Sequence, residues 1–269
     1  MDALEDPLCS ANNLVKAILP DQTMCVTILK FANSVLYGRP KKVSSLETAV
    51  MVLGFNEVQS IVLGKAAVST FNNLFKNRLE ILDHFWDHSF TCGLAAKIIS
   101  ENLNLKSGQF FMAGLLHDIG KLAMILAFDD KYDSEKWMRS LCSKSLLAED
   151  RQTFNISHDV IGSRLLQRWQ FPENLITALR HQHTPENAPK FQGYPLIVQA
   201  ADFLTHMSSV EPTPTEEQLK DAFHRDLPEF TAVWERLNLP WEDITLESWF
   251  AWLKVDKVHG SEILDVLAS

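Results

Sequence analysis

Basic residues are the minority charge in this chain. Its 25 lysines and arginines face 34 aspartates and glutamates, giving a formal charge of −9 and a pI near 5.5. A protein that grips nucleic acid non-specifically, or that lies on an anionic membrane, needs the opposite balance, because both partners are held through their phosphates. Charge therefore argues against both classes. Cysteine is scarce too: Cys9, Cys25, Cys92 and Cys142 stand far apart with no C-x-x-C pair. That spacing excludes a zinc knuckle and a disulfide framework and points to reduced thiols. The N-terminus, MDALEDPLCS, has acids where a secretory leader has a basic residue, and no apolar run is expected to approach the ~20 residues of a membrane span. A cytoplasmic protein is the expectation.

What the chain does have is helical periodicity along most of its 269 residues, enough for one large domain or two small ones. From Asn13 to Leu36 the pattern breaks at Pro20-Asp21, which predicts a short helix, a turn and a longer second helix ended by Tyr37-Gly38-Arg39-Pro40. Ser44 or Ser45 caps the next helix, with Leu46, Val50 and Leu53 on one face and Gly54 at its end, and another is expected over Glu57 to Phe71. Histidine is absent from this whole N-terminal part.

The chemistry concentrates in Phe110 to Met124, FFMAGLLHDIGKLAM. Leu115, Leu116, Ile119 and Leu122 describe a buried helical stripe, and Ala113 and Gly114 allow another helix to come close. His117 and Asp118 interrupt it. Burying such a pair is costly unless something binds it. Adjacent imidazole and carboxylate groups are ligand types for a divalent ion able to activate water. Lys121, one turn beyond His117, is placed to meet a phosphate or to close an ion pair with Asp118. A hydrogen-bonded couple that merely fixes a helix crossing needs the same residues, so both readings stand on this stretch alone.

The string HDIGK, His117 to Lys121, resembles the signature of the HD superfamily of metal-dependent phosphohydrolases. Ala32-Asn33-Ser34, Tyr37-Gly38, Val43-Ser44-Ser45-Leu46, Ala49 and Leu53-Gly54 resemble the N-terminal part of the HDOD family, the HD-related output domains of bacterial signalling, and the likeness runs from Leu14 to Met207. It implies an all-α fold, an HD-domain-like helical bundle with an N-terminal helical subdomain. The expected division is 1–78 for that subdomain, 79–210 for the HD-like domain and 211–269 for a helical extension packed on the bundle.

The resemblance also implies a ligand set. His84 and His88 have the i, i+4 spacing of a two-histidine clamp, but the W-x-H-S context of His88 is the one similar to the first histidine of HD proteins. His117 and Asp118 follow. Glu149, His158, Gly162 and Trp169 match the family's Glu, His, Gly and Trp. Two adjacent histidines are then expected just before a proline; aligning on Pro185 puts Gln182 and His183 there, so a weak neutral amide replaces one imidazole. His181 is one residue out of place, about 100° around a helix. Asp202, in an A-D-x context, comes last. The implied metal ligands are thus His88, His117, Asp118, His158, His183 and Asp202, with His117, Asp118 and Lys121 as the catalytic residues of an enzyme. Neutral imidazoles with two carboxylates suit iron, manganese, zinc or nickel rather than calcium. Gln182 leaves the number of ions open, and a set retained as a structural remnant would hold none.

Elsewhere, Lys106-Ser107-Gly108 reads as a turn with Ser107 as a cap, and Lys131 to Leu146 carries Trp137, Met138 and Leu141 at core spacing. Pro172 stands at a helix start. Gly193-Tyr194-Pro195 is a loop ending in a helix-initiating proline, because the residues around it do not resemble those of the HD-GYP phosphodiesterases. Val210 to Thr215 is the clearest break in the chain. Trp234, Trp241, Trp249 and Trp252, with Phe223, Phe230 and Phe250, pack the tail on the bundle or line a partner groove. His224 and His259 are surface residues. The expected function is an HDOD-type signalling module with a metal or ligand site that is weakly catalytic or not catalytic. The alternative is a metal-dependent phosphohydrolase acting on phosphomonoesters, nucleotides or cyclic dinucleotides. Signalling proteins are the expected partners, with a phosphoester or nucleotide as ligand and neither nucleic acid nor membrane.

Overall fold

The computed structural model describes residues 7–34, 42–105, 109–128, 144–239, 246–255 and 267. Helices account for its regular structure, and no strand occurs among the described residues, as the apolar spacing predicts. The expectations for Tyr37 to Pro40, Lys106 to Gly108, most of Lys131 to Leu146, Trp241 and His259 lie outside the described residues. The chain divides into two compact units, one built on its first 74 residues and the other spanning Phe75–Lys257.

The first unit holds α1 (Pro7–Ile18), α2 (Gln22–Asn33), α3 (Leu46–Leu53) and α4 (Phe55–Leu74). Asp21 caps α2 by accepting the Met24 N–H at 2.9 Å, which explains the break at Pro20-Asp21. The second helix is no longer than the first: each has 12 residues, because α1 begins at Pro7. Ser45, rather than Ser44, caps α3 by accepting the Thr48 N–H at 3.2 Å. Gly54 has φ +85°, a conformation that side chains with a Cβ avoid, and there α3 turns into α4 through 108°. The Asn33 amide donates to the Val43 carbonyl and accepts the Val43 N–H, both at 2.7 Å, fixing the approach to α3. Ile28, Phe31, Val58, Ile61 and Val68 form the interior.

The second unit holds α5 (Leu79–Asn102), α6 (Gln109–Leu116), α7 (Ile119–Phe128), α8 (Lys144–Phe154), α9 (His158–Arg168), α10 (Glu173–His181), α11 (Gly193–Ser208), α12 (Glu216–Asp226), α13 (Phe230–Arg236) and α14 (246–255). α6 lies against α5, α10 and α11, while α9 packs on α7 and α10. Gln109–Phe128 is, by length and composition, apolar enough to cross a membrane, contrary to the expectation from sequence. Its surroundings explain the composition: 83% of its most apolar 18-residue window is buried, as the central helix pair of a bundle requires. Gly114 makes the packing possible, since a Cβ there would lie 2.6 Å from the Cys92 carbonyl oxygen of α5.

Pro195 sits buried in the first turn of α11, and Thr215 and Gln218 form a reciprocal cap on α12 after the 210–215 break. Phe223, Phe230, Trp234 and Trp249 make a buried aromatic run with successive ring centroids 4.8, 5.2 and 5.7 Å apart. Trp249 Nε1–H donates to Asn102 Oδ1 on α5 at 3.1 Å, tying α14 to the longest helix. Trp252 is exposed, as is His224.

Candidate metal centre

The apolar stretch around HDIGK is not one continuous helix. α6 ends at Leu116, His117 and Asp118 occupy a turn, and α7 begins at Ile119, with the Lys121 N–H donating to the Asp118 carbonyl at 2.8 Å. His117 Nδ1–H donates to the Gly114 carbonyl at 2.7 Å. A carbonyl can only accept, so the neutral ring is fixed with its Nε2 lone pair free for the site.

His158 is oriented in the same way from the opposite side. It is the first residue of α9, and both its main-chain N–H and its Nδ1–H donate to Asp150 Oδ2, at 3.0 and 2.6 Å. A ring nitrogen fixed by a carboxylate is the usual support of a metal-binding imidazole. The acid that performs this is Asp150, not Glu149, the residue matched from sequence. Asp150 is fully buried and Glu149 is half-buried. Gly120 lets the two halves meet: a Cβ there would overlap the His158 carbonyl oxygen and lie 2.8 Å from Gly162 N.

Six of the predicted residues converge. His88 Nε2, from α5, is 3.3 Å from His117 Nε2, 3.1 Å from Asp202 Oδ1 of α11 and 3.9 Å from Asp118 Oδ2. His117 Nε2 is 3.2 Å from Asp118 Oδ2 and 3.5 Å from Asp202 Oδ1. Two donors each about 2.1 Å from a shared ion stand about 3.0 Å apart at a right angle and about 3.9 Å apart at a wide one, so the spacings among His88, His117 and Asp202 fit one ion, with Asp118 beside the two histidines. At the other end His158 Nε2 is 3.0 Å from His183 Nε2 and 3.7 Å from Asp118 Oδ1. Asp118 therefore faces both ends. Lys121, buried, places its ammonium 2.6 Å from Asp118 Oδ2, the ion-pair arrangement. His84 is exposed and stays out of the cluster. His88, with 32% of its side chain exposed, marks the accessible flank of an otherwise buried site.

The charges are strongly coupled. Burial opposes the ionised Asp118, but the His117 and Lys121 cations hold it well below the ordinary carboxylate range. Asp202 is likewise depressed, its burial outweighed by hydrogen bonds from His117 and His88. Burial alone would lower His117, yet Asp118 raises it well above the usual imidazole value. His183 is pushed down to about 3 by burial and by the neighbouring His158, so it is neutral.

α10 ends at His181, but Gln182 keeps helical backbone angles, so a turn of about 100° still separates the His181 side chain from it, and His181 stays part-exposed. His183 is the one that meets His158. The Gln182 amide nitrogen donates to the His117 carbonyl at 3.0 Å, while its buried Oε1 has no hydrogen-bond partner among the described residues. Besides Asp150, sequence reasoning gave no role to Cys92, a buried thiol one turn along α5 from His88 that interacts electrostatically with His117. Its i, i+4 spacing from His88 was the available signal, as was the helical recurrence of Leu147, Asp150 and Phe154 for the buried acid.

The family described as HDOD domain matches residues 1–185. An uncharacterized protein of Treponema pallidum is 26% identical over 204 residues, 74% of this chain and 38% of its own length. A ribonuclease Y of Thermus thermophilus is 30% identical over 138 residues, 51% of this chain and 18% of its own. The chain thus spans well under half the length of these relatives. Among solved structures, an HDOD domain protein from Geobacter sulfurreducens superposes with a TM-score of 0.63 at 20% identity, covering 98% of this chain and 87% of that one. A candidate metal-dependent phosphohydrolase from Shewanella amazonensis gives 0.62 at 19%, covering 95% and 88%. Likenesses at such identities establish the helical fold. With well over half of its length matched by the family signature, the chain belongs to the HDOD family.

Proposed function

We propose that this chain is an HDOD output domain of bacterial signalling whose His/Asp centre holds a divalent transition ion and recognises a phosphoester or nucleotide, with hydrolysis weak or absent. One observation carries the reading: the donor atoms of His88, His117 and Asp202 lie 3.1 to 3.5 Å from one another, and Asp118 Oδ2 lies 3.2 and 3.9 Å from the two histidines. Those four residues would hold the ion, and the donor set suits iron, manganese, zinc or nickel. When bound, such an ion polarises a phosphoryl group and lowers the pKa of water.

The chain's own residues define the remainder. Gly114 and Asp150 fix the His117 and His158 rings, and Lys121 neutralises one oxygen of Asp118. His117, Asp118, His158, His183 and Asp202 are buried, while His88 is partly exposed. Action in the cytoplasm on signalling proteins belongs to the same reading and is supported by the acidic surface balance and free thiols.

A second reading, phosphoester hydrolysis, is favoured by that partly exposed His88 flank, where a substrate could approach. Thermal unfolding of manganese-loaded protein with phosphomonoesters, nucleotides and cyclic dinucleotides, alongside phosphate release, separates the two. Stabilisation by one of these ligands only in the loaded protein, without turnover, is expected. Multiple turnovers that disappear in Asp202→Ala would establish the second reading, and no ligand response in loaded protein would refute ligand recognition.

A further inference from the structure

The charge buried at the centre limits how many ions it can hold. Asp118, Asp150 and Asp202 are buried carboxylates, and Lys121 is a buried ammonium 2.6 Å from Asp118. With the imidazoles neutral, as ion binding requires, this group carries two negative charges. A single divalent ion balances them. A second ion would leave two uncompensated positive charges in the interior, which is costly even among good ligands.

The donor geometry is just as uneven. At one end three donor atoms, from His88, His117 and Asp202, lie within 3.5 Å of one another, with Asp118 Oδ2 3.2 and 3.9 Å from the two histidines. At the other end two imidazoles hydrogen-bond each other at 3.0 Å, Asp118 Oδ1 lies 3.7 Å from His158 Nε2 while its other oxygen is paired with Lys121, and the nearby Asp159 is paired with Arg180. Asp150 is turned to the far nitrogen of His158 and adds no donor. Gln182, which precedes His183 in the chain, bonds the His117 carbonyl through its nitrogen at 3.0 Å and keeps a buried oxygen without a hydrogen-bond partner among the described residues. An amide supplies neither the charge nor the donor strength that a second ion needs.

We propose that this centre takes one ion, at the His88–His117–Asp118–Asp202 end, and that Gln182 is the residue that keeps a second ion from the His158–His183 end. The inference rests on the reading of the centre as an ion site. The test is manganese titration of the full chain, followed by elemental analysis and by the electron paramagnetic resonance spectrum of the bound ion. Wild-type protein is expected to saturate at one ion per chain with the signal of an isolated ion. Gln182→Glu, which adds a charge and a donor, is expected to saturate at two, with the spectrum of a spin-coupled pair. If the buried glutamate prevents folding, Gln182→His supplies the donor without charge and is expected to admit the second ion also. Two ions in wild type would overturn the inference while leaving the ion site standing, and no ion in wild type would overturn both. One ion in a folded Gln182→Glu, or in Gln182→His where that replaces it, would remove Gln182 from its assigned role.

Discussion

Replacing Lys121 by Met keeps the length of the side chain and removes its charge, leaving Asp118 without the ammonium that sits 2.6 Å from its Oδ2. Both groups are buried, so solvent screens the loss poorly. Breaking a buried pair from one side costs about 3–5 kcal/mol. His117 still faces Asp118 from 3.2 Å, which places the expected loss near the bottom of that range, at about 3 kcal/mol. For a domain of this size each kcal/mol moves the unfolding midpoint by roughly 2–4 °C, so ion-free Lys121→Met should melt roughly 6–12 °C below wild type. A divalent ion beside Asp118 replaces the missing positive charge. Manganese should therefore raise the Tm of the variant by several degrees more than that of wild type, as differential scanning calorimetry would show. An unchanged ion-free Tm, or an equal gain with manganese in both proteins, would refute the reasoning.

Gly120→Ala forces a methyl group into the His158 carbonyl and Gly162 N, both backbone atoms that cannot swing aside. Overpacking of this kind costs about 1–3 kcal/mol, and α9 should move away from α7; a Tm within a degree of wild type would argue against that contact. In the ion-free protein His117 carries a proton at neutral pH, because Asp118 raises it against the effect of burial. The ion needs the neutral ring, so affinity should rise with pH, by up to about tenfold per unit below the raised pKa, with about one proton released per ion bound. Calorimetric titrations in buffers of different ionisation enthalpy would detect that proton. The same raised pKa makes the ion-free protein lose stability as pH climbs from about 6.5 through the folded value, the sign expected for a histidine that gains an acidic partner.

Local signals were legible in the sequence wherever the chemistry is local. The break at Pro20-Asp21 and the serine cap before α3 follow from turn residues and helix faces, the choice of His88 over His84 from the resemblance of its W-x-H-S context to HD proteins, and the structure places each accordingly. The helix break at His117-Asp118 was not legible, because the leucine spacing runs through it without interruption. It is accompanied by side-chain bonds to Gly114 and Lys121 that periodicity does not encode. That Asp150 holds His158 was not legible for a similar reason: neighbouring acids, one half-buried and one buried, look alike in the sequence, and only the contact with His158 tells them apart. The role of Gln182 depends on a carbonyl 65 residues away in the chain, so its sequence position alone shows a missing imidazole and nothing of what the amide does.

Elemental analysis of purified protein, before and after incubation with manganese, iron, zinc or nickel, tests the central claim most directly. The account predicts one ion per chain in wild type and none in Asp118→Ala, with the helical circular dichroism of the variant retained. Absence of metal from wild type under every loading, or full metal content in folded Asp118→Ala, would contradict it.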